Sequence, residues 1–331
     1  MIDYLIVGAG LTGATLAQQL HAAGKTVRVI DKRAHIGGNC YTTTRAGIIM
    51  SLYGGHVFHT NSARIWKYVN RFTDWQQYEH RVKAHYRGNV YSFPPNLMTY
   101  QQIGIKFGPG TEHAMRHMFF EGYTEKQWGR SIADVPESVL ARIPMRGDWD
   151  DRYFSDRWQG LPEGGYTPMI AAMLEGVDVD LETPYSLDKN YNARTVIYTG
   201  PIDALLGYSL GRLEYRSLRF EHALISEYNQ GCATMNYTEA DVPYTRIMQW
   251  SYWWRNAKHI GLITTEYPAE YTGNNEPYYP IETEYNREMY AAYARMLPGN
   301  LVPAGRLGTY RYLNMDQAIG GALALAERLL K

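Results

Sequence analysis

The residues with the clearest chemical potential are three glycines near the N-terminus and an aspartate that follows them. Gly8, Gly10 and Gly13 open a helix-like stretch directly after an apolar run, and Asp31 ends the next apolar run. Gly8 permits a tight turn, Gly10 lets the backbone approach a pyrophosphate at the helix N-terminus, and Gly13 allows close packing of helix and strand. Because Asp31 can accept hydrogen bonds from ribose hydroxyls, the pattern predicts a dinucleotide-binding site.

The elements that must position these residues form a βαβ unit. Residues 3–7 predict a strand, residues 11–23 have helix-like spacing that Gly24 ends, and residues 27–30 predict a second strand. The glycine turn therefore lies between a strand and a helix, which is the context that makes the motif specific.

The choice between FAD and NAD depends on the residues that follow Asp31. Lys32 is basic, and Gly38 and Asn39 belong to a glycine-rich segment just beyond it. Flavoproteins of the large two-lobed class are similar here, whereas the sequence contains no second strand-glycine-helix fingerprint to bind NAD(P)H. We therefore expect FAD, contacted in part by Lys32, Gly38 and Asn39.

The rest of the chain leaves this unit and returns to it. Residues 111–144 show helical spacing, 194–200 form a buried-strand pattern, 222–265 alternate as an antiparallel sheet does, and 316–330 predict a final helix. The expected fold is α/β: a Rossmann-like FAD-binding domain with an inserted small helical lobe and an antiparallel β-sheet substrate lobe. The predicted divisions are 1–75, 185–225 and 295–331 for the FAD-binding domain, 92–150 for the helical lobe with a mobile loop at 131–144, and 76–91, 151–184 and 226–294 for the sheet lobe.

Composition limits the classes of partner. The 331 residues carry 33 basic and 33 acidic side chains, which argues against a broad nucleic-acid or membrane footprint. Cys40 and Cys232 lie too far apart in the sequence for a paired metal-ligand motif, so we expect no metal. With no targeting segment or membrane span in the sequence, we expect a soluble, cytoplasmic protein. The 29 tyrosines suit contacts with sugars and bases, although most can serve the core instead.

Six strings together resemble the prokaryotic UDP-galactopyranose mutases. They occur in the family's order from the first strand to the last helix, and YTEKQWG and EPYYPI are the most specific of them. They are HIGGN at 35–39, YGGHVFHTN at 53–61, GYTEKQWG at 122–129, YTR at 244–246, EPYYPI at 276–281 and GRLGTY at 305–310.

The resemblance implies a nucleotide-sugar substrate and a reaction that is redox-neutral overall. In the family, reduced FAD is the nucleophile: its N5 attacks the anomeric carbon, displaces the nucleoside diphosphate and holds the opened sugar until another hydroxyl closes the ring. An electron donor must therefore reduce the flavin. Forming a covalent intermediate divides one difficult step into easier ones.

The resemblance also implies roles for individual residues. The two arginines that match the diphosphate ligands are Arg142, within the predicted mobile loop, and Arg246. Guanidinium groups suit a leaving group that gains negative charge. Phe119 and Tyr123 match residues that sandwich the uracil. The remaining matches are Thr124 and Trp128 at the nucleotide, Tyr153, Tyr279, Tyr312 and Asn314 at the sugar and diphosphate, and His56, His59, Arg306 and Asp316 at the flavin.

The sequence departs from the family where the sugar is bound. Asn314 replaces the usual aspartate, and it has the spacing of a helix N-cap with Gln317 as its N3 partner. Gly55 stands where the family has proline. The chain is also short between Pro95 and Phe119, in the lobe that commonly supports dimer contacts, which leaves a homodimer open. UDP-galactose, UDP-arabinopyranose, dTDP-fucose and UDP-N-acetylgalactosamine all remain candidate substrates.

Two other classes of function compete with a mutase. A flavin oxidase or reductase would consume oxygen or NAD(P)H with its substrate, and the missing second fingerprint argues against the nicotinamide version. A non-catalytic nucleotide-sugar binder is suggested by Asn314 and the shortened lobe.

Overall fold

The predicted βαβ opening is confirmed by the computed structural model, which describes residues 1–134, 144–258 and 260–331. The unit consists of β1 (Ile2–Val7), α1 (Leu11–Ala22) and β2 (Val27–Ile30). Leu5 and Ile6 are fully buried, as expected for a parallel strand that is covered on both faces. Gly24, with φ +77°, follows the end of α1 where the sequence predicted a stop.

The other elements follow in chain order. The strands are β3 (Thr42–Arg45), β4 (Ile48–Ser51), β5 (Phe58–Thr60), β6 (Trp75–Gln77), β7 (Val82–Tyr86), β8 (Asn89–Phe93), β9 (Trp158–Pro162), β10 (Asp178–Asp180), β11 (Ala193–Tyr198), β12 (Tyr215–Ile225), β13 (Thr234–Tyr237), β14 (Arg246–Gln249), β15 (Gly261–Glu270), β16 (Tyr279–Pro280) and β17 (Leu301–Pro303). The helices are α2 (Ala63–Val69), α3 (Leu97–Ile103), α4 (Glu112–Arg116), α5 (Gly122–Trp128), α6 (Tyr166–Met173), α7 (Ile202–Leu205), α8 (Glu284–Met296), α9 (Gly305–Gly308) and α10 (Met315–Leu329).

A five-stranded parallel sheet forms the Rossmann-like domain. Its strand order is β10-β2-β1-β11-β17, so the chain crosses from one side of β1 to the other. Helices α1, α6 and α10 pack together beside it, with Leu16, Ile170 and Leu323 in one buried cluster. Because ligands bind beyond the carboxyl ends of such strands at the reversal point, this topology directs attention to the turn after β1.

A seven-stranded sheet forms the second lobe. Its order is β16-β12-β15-β14-β13-β7-β8, with antiparallel pairing except between β13 and β7. The longest pair joins β12 and β15 from Arg216 opposite Glu270 to Ile225 opposite Gly261. The predicted antiparallel lobe is therefore confirmed. In this sheet Arg246 of β14 lies directly opposite Glu266 of β15.

A small helical lobe stands between these sheets in the sequence, as predicted. Helices α3, α4 and α5 enclose a core that includes Phe93, Tyr100 and Phe119. Between α4 and α5 the helix widens into a π-turn over His117–Glu121. Single π-turns often accompany functional sites, because they change which side chains share a helix face.

Two segments lie outside the domains predicted for them. Residues 166–180, expected in the sheet lobe, provide α6 and the edge strand β10 of the Rossmann-like domain. Residues 215–225, expected in the FAD-binding domain, form β12 of the seven-stranded sheet. β10 is short and half-exposed, and its Asp-Val-Asp sequence lacks the apolar run that identifies a central parallel strand.

Among the helices in the described ranges, none combines the length and the apolar character required to span a bilayer.

Candidate functional site

A cavity of about 930 Å³ lies beyond the carboxyl end of β1. This is within the usual size range for a cofactor site. Nine residues predicted to contact the cofactor line it: Gly8, Gly10, Gly13, Asp31, Lys32, Gly38, Asn39, His56 and Arg306. Asn314, predicted on the substrate side, lines the same cavity.

The glycine turn has the geometry that its spacing predicts. Gly8 has φ +112°, a conformation that side chains rarely adopt, and a Cβ at Gly13 would lie 1.9 Å from the carbonyl oxygen of Gly8. Gly10 is the N-cap of α1 and provides no side-chain cap. The first amides of this 12-residue helix therefore remain available to an anion such as a pyrophosphate.

Asp31 links the glycine turn to the end of β2. Its side chain is only 7% exposed, and its Oδ2 accepts a hydrogen bond of 2.7 Å from the backbone N–H of Ala9. Its Oδ1 accepts a bond of 2.8 Å from the backbone N–H of Arg33. Each carboxylate oxygen has a second lone-pair direction, so Asp31 can brace the turn and still accept ribose hydroxyls.

Replacing Asp31 by asparagine should weaken FAD binding about tenfold, because an amide NH2 cannot accept from both backbone N–H groups and a charged hydrogen bond contributes about 1.5–3 kcal/mol. Flavin retention after gel filtration and titration of apoprotein with FAD would measure the change. Asp178→Asn, at an exposed aspartate of β10, is the matched control and should retain FAD like the wild type. Equal FAD affinity in both variants would contradict the bracing role.

Basic residues next to Asp31 are linked to the opposite lobe. Lys32 Nζ lies 3.1 Å from Glu276 Oε1, and Arg33 Nη2 lies 3.0 Å from Glu276 Oε2. Although burial opposes it, the positive charge of Arg33 and Lys32 holds the pKa of Glu276 below its usual value. The two lobes are therefore joined by an ion-pair network along the cavity wall, with Glu276 also among the lining residues.

His56 and Arg306 both line the cavity. Burial, followed by the charge of Arg306, lowers the pKa of His56 to about 4, so the imidazole is neutral at pH 7. Its Nδ1 is buried and has no protein partner in the described ranges. Arg306 donates to the carbonyl oxygens of Leu313 at 2.6 Å and Tyr278 at 3.2 Å. A neutral ring nitrogen and a fixed guanidinium thus border the space available to a cofactor ring.

The predicted diphosphate ligand Arg246, whose side chain is 25% exposed, forms an ion pair with a buried glutamate. Its Nη2 lies 2.8 Å from Oε2 of Glu266, a side chain with 0% exposure. Burial opposes the charge, but Glu266, Tyr123 and Tyr279 outweigh it and hold the pKa of Arg246 well above its usual value. The Nε of Arg246 is buried without a protein partner in the described part of the chain. One side of the guanidinium is therefore occupied, and a donor remains for an anion.

Tyr123, predicted at the uracil, and Tyr279, predicted at the sugar and diphosphate, lie beside this ion pair. Burial raises the pKa of Tyr123, which interacts with the charges of Arg246 and Glu266 and with Tyr153 and Tyr312. With its pKa raised, the phenol of Tyr123 is neutral at pH 7, so it can both donate and accept hydrogen bonds.

Arg306 connects the tyrosine cluster to the cofactor cavity. Tyr279 and Tyr312 stack with ring centroids 5.3 Å apart, and Arg306 lies 5.1 Å from the centre of the Tyr312 ring. The ring of Trp128 lies 6.3 Å from that of Tyr279, centroid to centroid. Arg306 thus joins the predicted cofactor residues to the predicted substrate residues, although Arg246, Tyr279 and Tyr312 do not line the cavity in the described part of the chain.

Several predicted residues lie elsewhere. His59 binds Asp156 through Nδ1 at 2.8 Å and stacks on Phe154, and in the described chain it does not line the cavity. Asp316 likewise does not line it; its Oδ2 accepts a 3.2 Å bond from Thr60. Phe119 is 1% exposed within the core of the helical lobe. A stacking role for Phe119 would therefore require the lobe to open.

Of three more predicted positions, Asn314 and Thr124 have structural roles or positions within helices, and Arg142 lies outside the described residues. Asn314 is the N-cap of α10, and its N–H donates to Gln317 Oε1 at 2.9 Å, which confirms the predicted cap. Thr124 is buried on α5. Arg142 and residues 135–143 of the predicted mobile loop are outside the described residues.

Glu266 and Glu276 are the charged residues that sequence reasoning missed. Glu276 begins the EPYYPI string, whereas Glu266 lies outside the six recognised strings. A buried or bridging carboxylate is identified only by its partner. Glu266 is 20 residues from Arg246 in the chain, and the β14-β15 register brings the two together. The strand register would have identified Glu266 as the partner of Arg246, but the sequence alone does not reveal it.

The fold and site define a two-lobed protein of the dinucleotide-binding class, with a partly buried arginine-tyrosine cluster beside the cofactor cavity. Comparison with known proteins agrees: residues 6–72 match the NAD(P)-binding Rossmann-like domain, and residues 118–312 match UDP-galactopyranose mutase. The chain belongs to the UDP-galactopyranose mutase family, so it is a nucleotide-sugar pyranose mutase, an isomerase, by class.

Individual relatives cover nearly the whole chain. A probable UDP-galactopyranose mutase of Klebsiella pneumoniae is 38% identical over 99% of this chain and 94% of its own length. A dTDP-fucopyranose mutase of Escherichia coli is 34% identical over 100% of this chain and 99% of its own length. A crystal structure of reduced UDP-galactopyranose mutase superposes with a TM-score of 0.76 at 15% identity, covering 100% of this chain and 94% of that one, which supports the fold.

Proposed function

We propose that this protein uses FAD to interconvert the pyranose and furanose forms of a nucleotide sugar. The observation that carries the proposal is the bridging position of Arg306, which lines the dinucleotide cavity and lies against Tyr312, a member of the cluster around Arg246. A cofactor and a diphosphate could therefore meet across one space.

The residues that line the cavity fit FAD. The uncapped N-terminus of α1 suits a pyrophosphate, and Asp31 suits a ribose. The unpaired Nδ1 of His56 can bind a polar edge of the flavin ring. When bound and reduced, the flavin would supply the nucleophile for the anomeric carbon.

The protein's own contribution is to stabilise the leaving group and position the sugar. Arg246 faces a diphosphate that gains negative charge as the glycosidic bond breaks, and fixed donors stabilise such charge without having to reorganise. Glu266 orients Arg246 from the opposite strand. By resemblance, Arg142 would complete the diphosphate clamp. By resemblance, Tyr279 and Tyr312 would hydrogen-bond the sugar and phosphates.

The sugar and the wider setting are also proposals. The names of the relatives mention galactopyranose and fucopyranose, and the departures near Asn314 leave UDP-arabinopyranose and UDP-N-acetylgalactosamine as further candidates. A donor of electrons, a cytoplasmic location and a homodimer fit the same proposal. A flavin supply and a nucleotide-sugar supply would both be present in that compartment.

The proposed function predicts turnover only by the reduced protein. Purified protein should contain FAD and, after dithionite reduction, should convert at least one of UDP-galactofuranose, UDP-arabinofuranose, dTDP-fucofuranose and the N-acetylgalactosamine analogue to its pyranose, as followed by chromatography. Oxidised protein is the control and should be inactive.

Two outcomes would replace this function by another. Stoichiometric consumption of oxygen or NAD(P)H with substrate would indicate an oxidoreductase. Tight UDP binding by FAD-loaded protein with no turnover of any of these sugars would indicate a binding protein.

A further inference from the structure

Lys126 of α5 uses its whole ammonium group to hold backbone carbonyls of the other lobe. Its Nζ donates to the carbonyl oxygens of Tyr237 and Val242, each at 2.9 Å, and of Tyr244 at 3.0 Å. An ammonium has three N–H donors, so all three are committed. Burial lowers the pKa of Lys126 to about 8, with Glu239 and Asp241 opposing. The three hydrogen bonds compensate for the desolvation of this charge, so the ammonium stabilises the contact between α5 and the other lobe.

The three carbonyls belong to the segment that leads from β13 into β14. Tyr237 ends β13, Val242 and Tyr244 lie in the following loop, and Arg246 begins β14. Lys126 therefore reaches the stretch of backbone that directly precedes the predicted diphosphate ligand.

A second contact joins the same two elements at the start of α5. A Cβ added to Gly122 would lie 2.6 Å from the carbonyl oxygen of Thr238 and 2.8 Å from the N–H nitrogen of Ala240. Only glycine permits this approach without displacing backbone. Helix α5 is thus held to the loop at Gly122 and again, one turn later, at Lys126.

Between these two contacts lies Tyr123. Its phenol interacts electrostatically with both Arg246 and Glu266. The position of α5 relative to the loop consequently sets the position of Tyr123 relative to Arg246.

We propose that Lys126 is a positioning residue, which holds α5 against the loop before β14 and so fixes Tyr123 opposite Arg246 for a bound nucleoside diphosphate. The inference rests on the proposed function, because it takes UDP or a related nucleotide as the ligand. Lys126 itself need not contact that ligand, since its donors are already used.

The test compares Lys126→Gln and Lys126→Arg with Lys67→Gln, at an exposed lysine of α2. UDP affinity would be measured by calorimetry on FAD-loaded protein, alongside KM, kcat, flavin content and melting temperature. A variant that weakens ground-state and transition-state binding equally has a higher KM and an unchanged kcat. Lys126→Gln should therefore raise the UDP Kd and the KM about tenfold and change kcat by less than about threefold. Lys126→Arg, which keeps charge and several donors, should recover most of the affinity. Lys67→Gln should behave like the wild type.

A second variant changes the distance between α5 and the loop before β14 while leaving Lys126 in place. Gly122→Ala should displace α5 at its other contact and raise the UDP Kd in the same direction, even if Lys126→Gln proves too unstable to assay. If Gly122→Ala, or a folded and flavin-loaded Lys126→Gln, binds UDP as tightly as the wild type, the inference about Lys126 is wrong and the proposed function is unaffected. Failure of the wild-type protein itself to bind UDP would overturn the proposed function and this inference with it.

Discussion

Replacing Arg246 by methionine should lower kcat/KM by about a hundredfold to a thousandfold, because removal of one preorganised charge donor from a developing oxyanion costs about 2.7–4 kcal/mol. Arg246 is the described arginine that combines a buried, unpaired Nε with a tyrosine cluster next to the cofactor cavity. Arg246→Lys keeps the positive charge beside Glu266 but loses the planar guanidinium, so it should recover stability more fully than activity.

Loss of activity in Arg246→Met could also arise from unfolding, because the substitution leaves Glu266 without its ion-pair partner. Its side chain is fully buried, and deleting the partner of a buried charge destabilises a protein by about 3–5 kcal/mol. The double variant Arg246→Met, Glu266→Met removes both charges and should restore most of the melting temperature while leaving kcat/KM low. Near-wild-type turnover by that double variant would show that Arg246 does not stabilise the leaving group. Parallel recovery of stability and activity would show that the pair is structural.

Local patterns made the cofactor half of the molecule predictable. The glycine turn, α1 and β2 lie within the first 30 residues and depend mainly on contacts with one another, so spacing alone indicated their arrangement. Asp31 followed from the same unit. The final helix was predicted as 316–330 and occurs at Met315–Leu329, because its amphipathic spacing and its Asn314 cap are both local signals.

Features that depend on long-range pairing were not predictable. β10 joins the Rossmann-like sheet through β2, about 150 residues away in sequence, and its short polar strand gives no periodic signal. The partner of Arg246 depended on the β14-β15 register. The two histidines of the HVFH string illustrate the same difficulty, since His56 lines the cavity and His59 binds Asp156. Their order in sequence did not distinguish them.

The cofactor cavity provides the other large predicted effect. Gly13→Ala should remove most of the bound FAD, because the new Cβ would lie 1.9 Å from the carbonyl oxygen of Gly8 and 3.2 Å from Cγ2 of Ile6. The nearest atoms are backbone, so α1 must move away from β1 and carry its N-terminal amides with it. Overpacking of this kind costs about 3 kcal/mol, which corresponds to about two orders of magnitude in FAD affinity if the displacement falls on the pyrophosphate site.

Flavin absorbance per protein would measure the loss of FAD in Gly13→Ala, and the melting temperature of the apoprotein would measure its loss of stability separately. Gly321→Ala is the matched control, because Gly321 lies within α10 and a Cβ there would meet nothing within 4 Å. Alanine in an open helical position should stabilise by up to about 1 kcal/mol, so that variant should retain FAD and melt slightly higher. Gly13→Ala protein that binds FAD as tightly as the Gly321→Ala control would mean that close packing between α1 and β1 does not position the anion site.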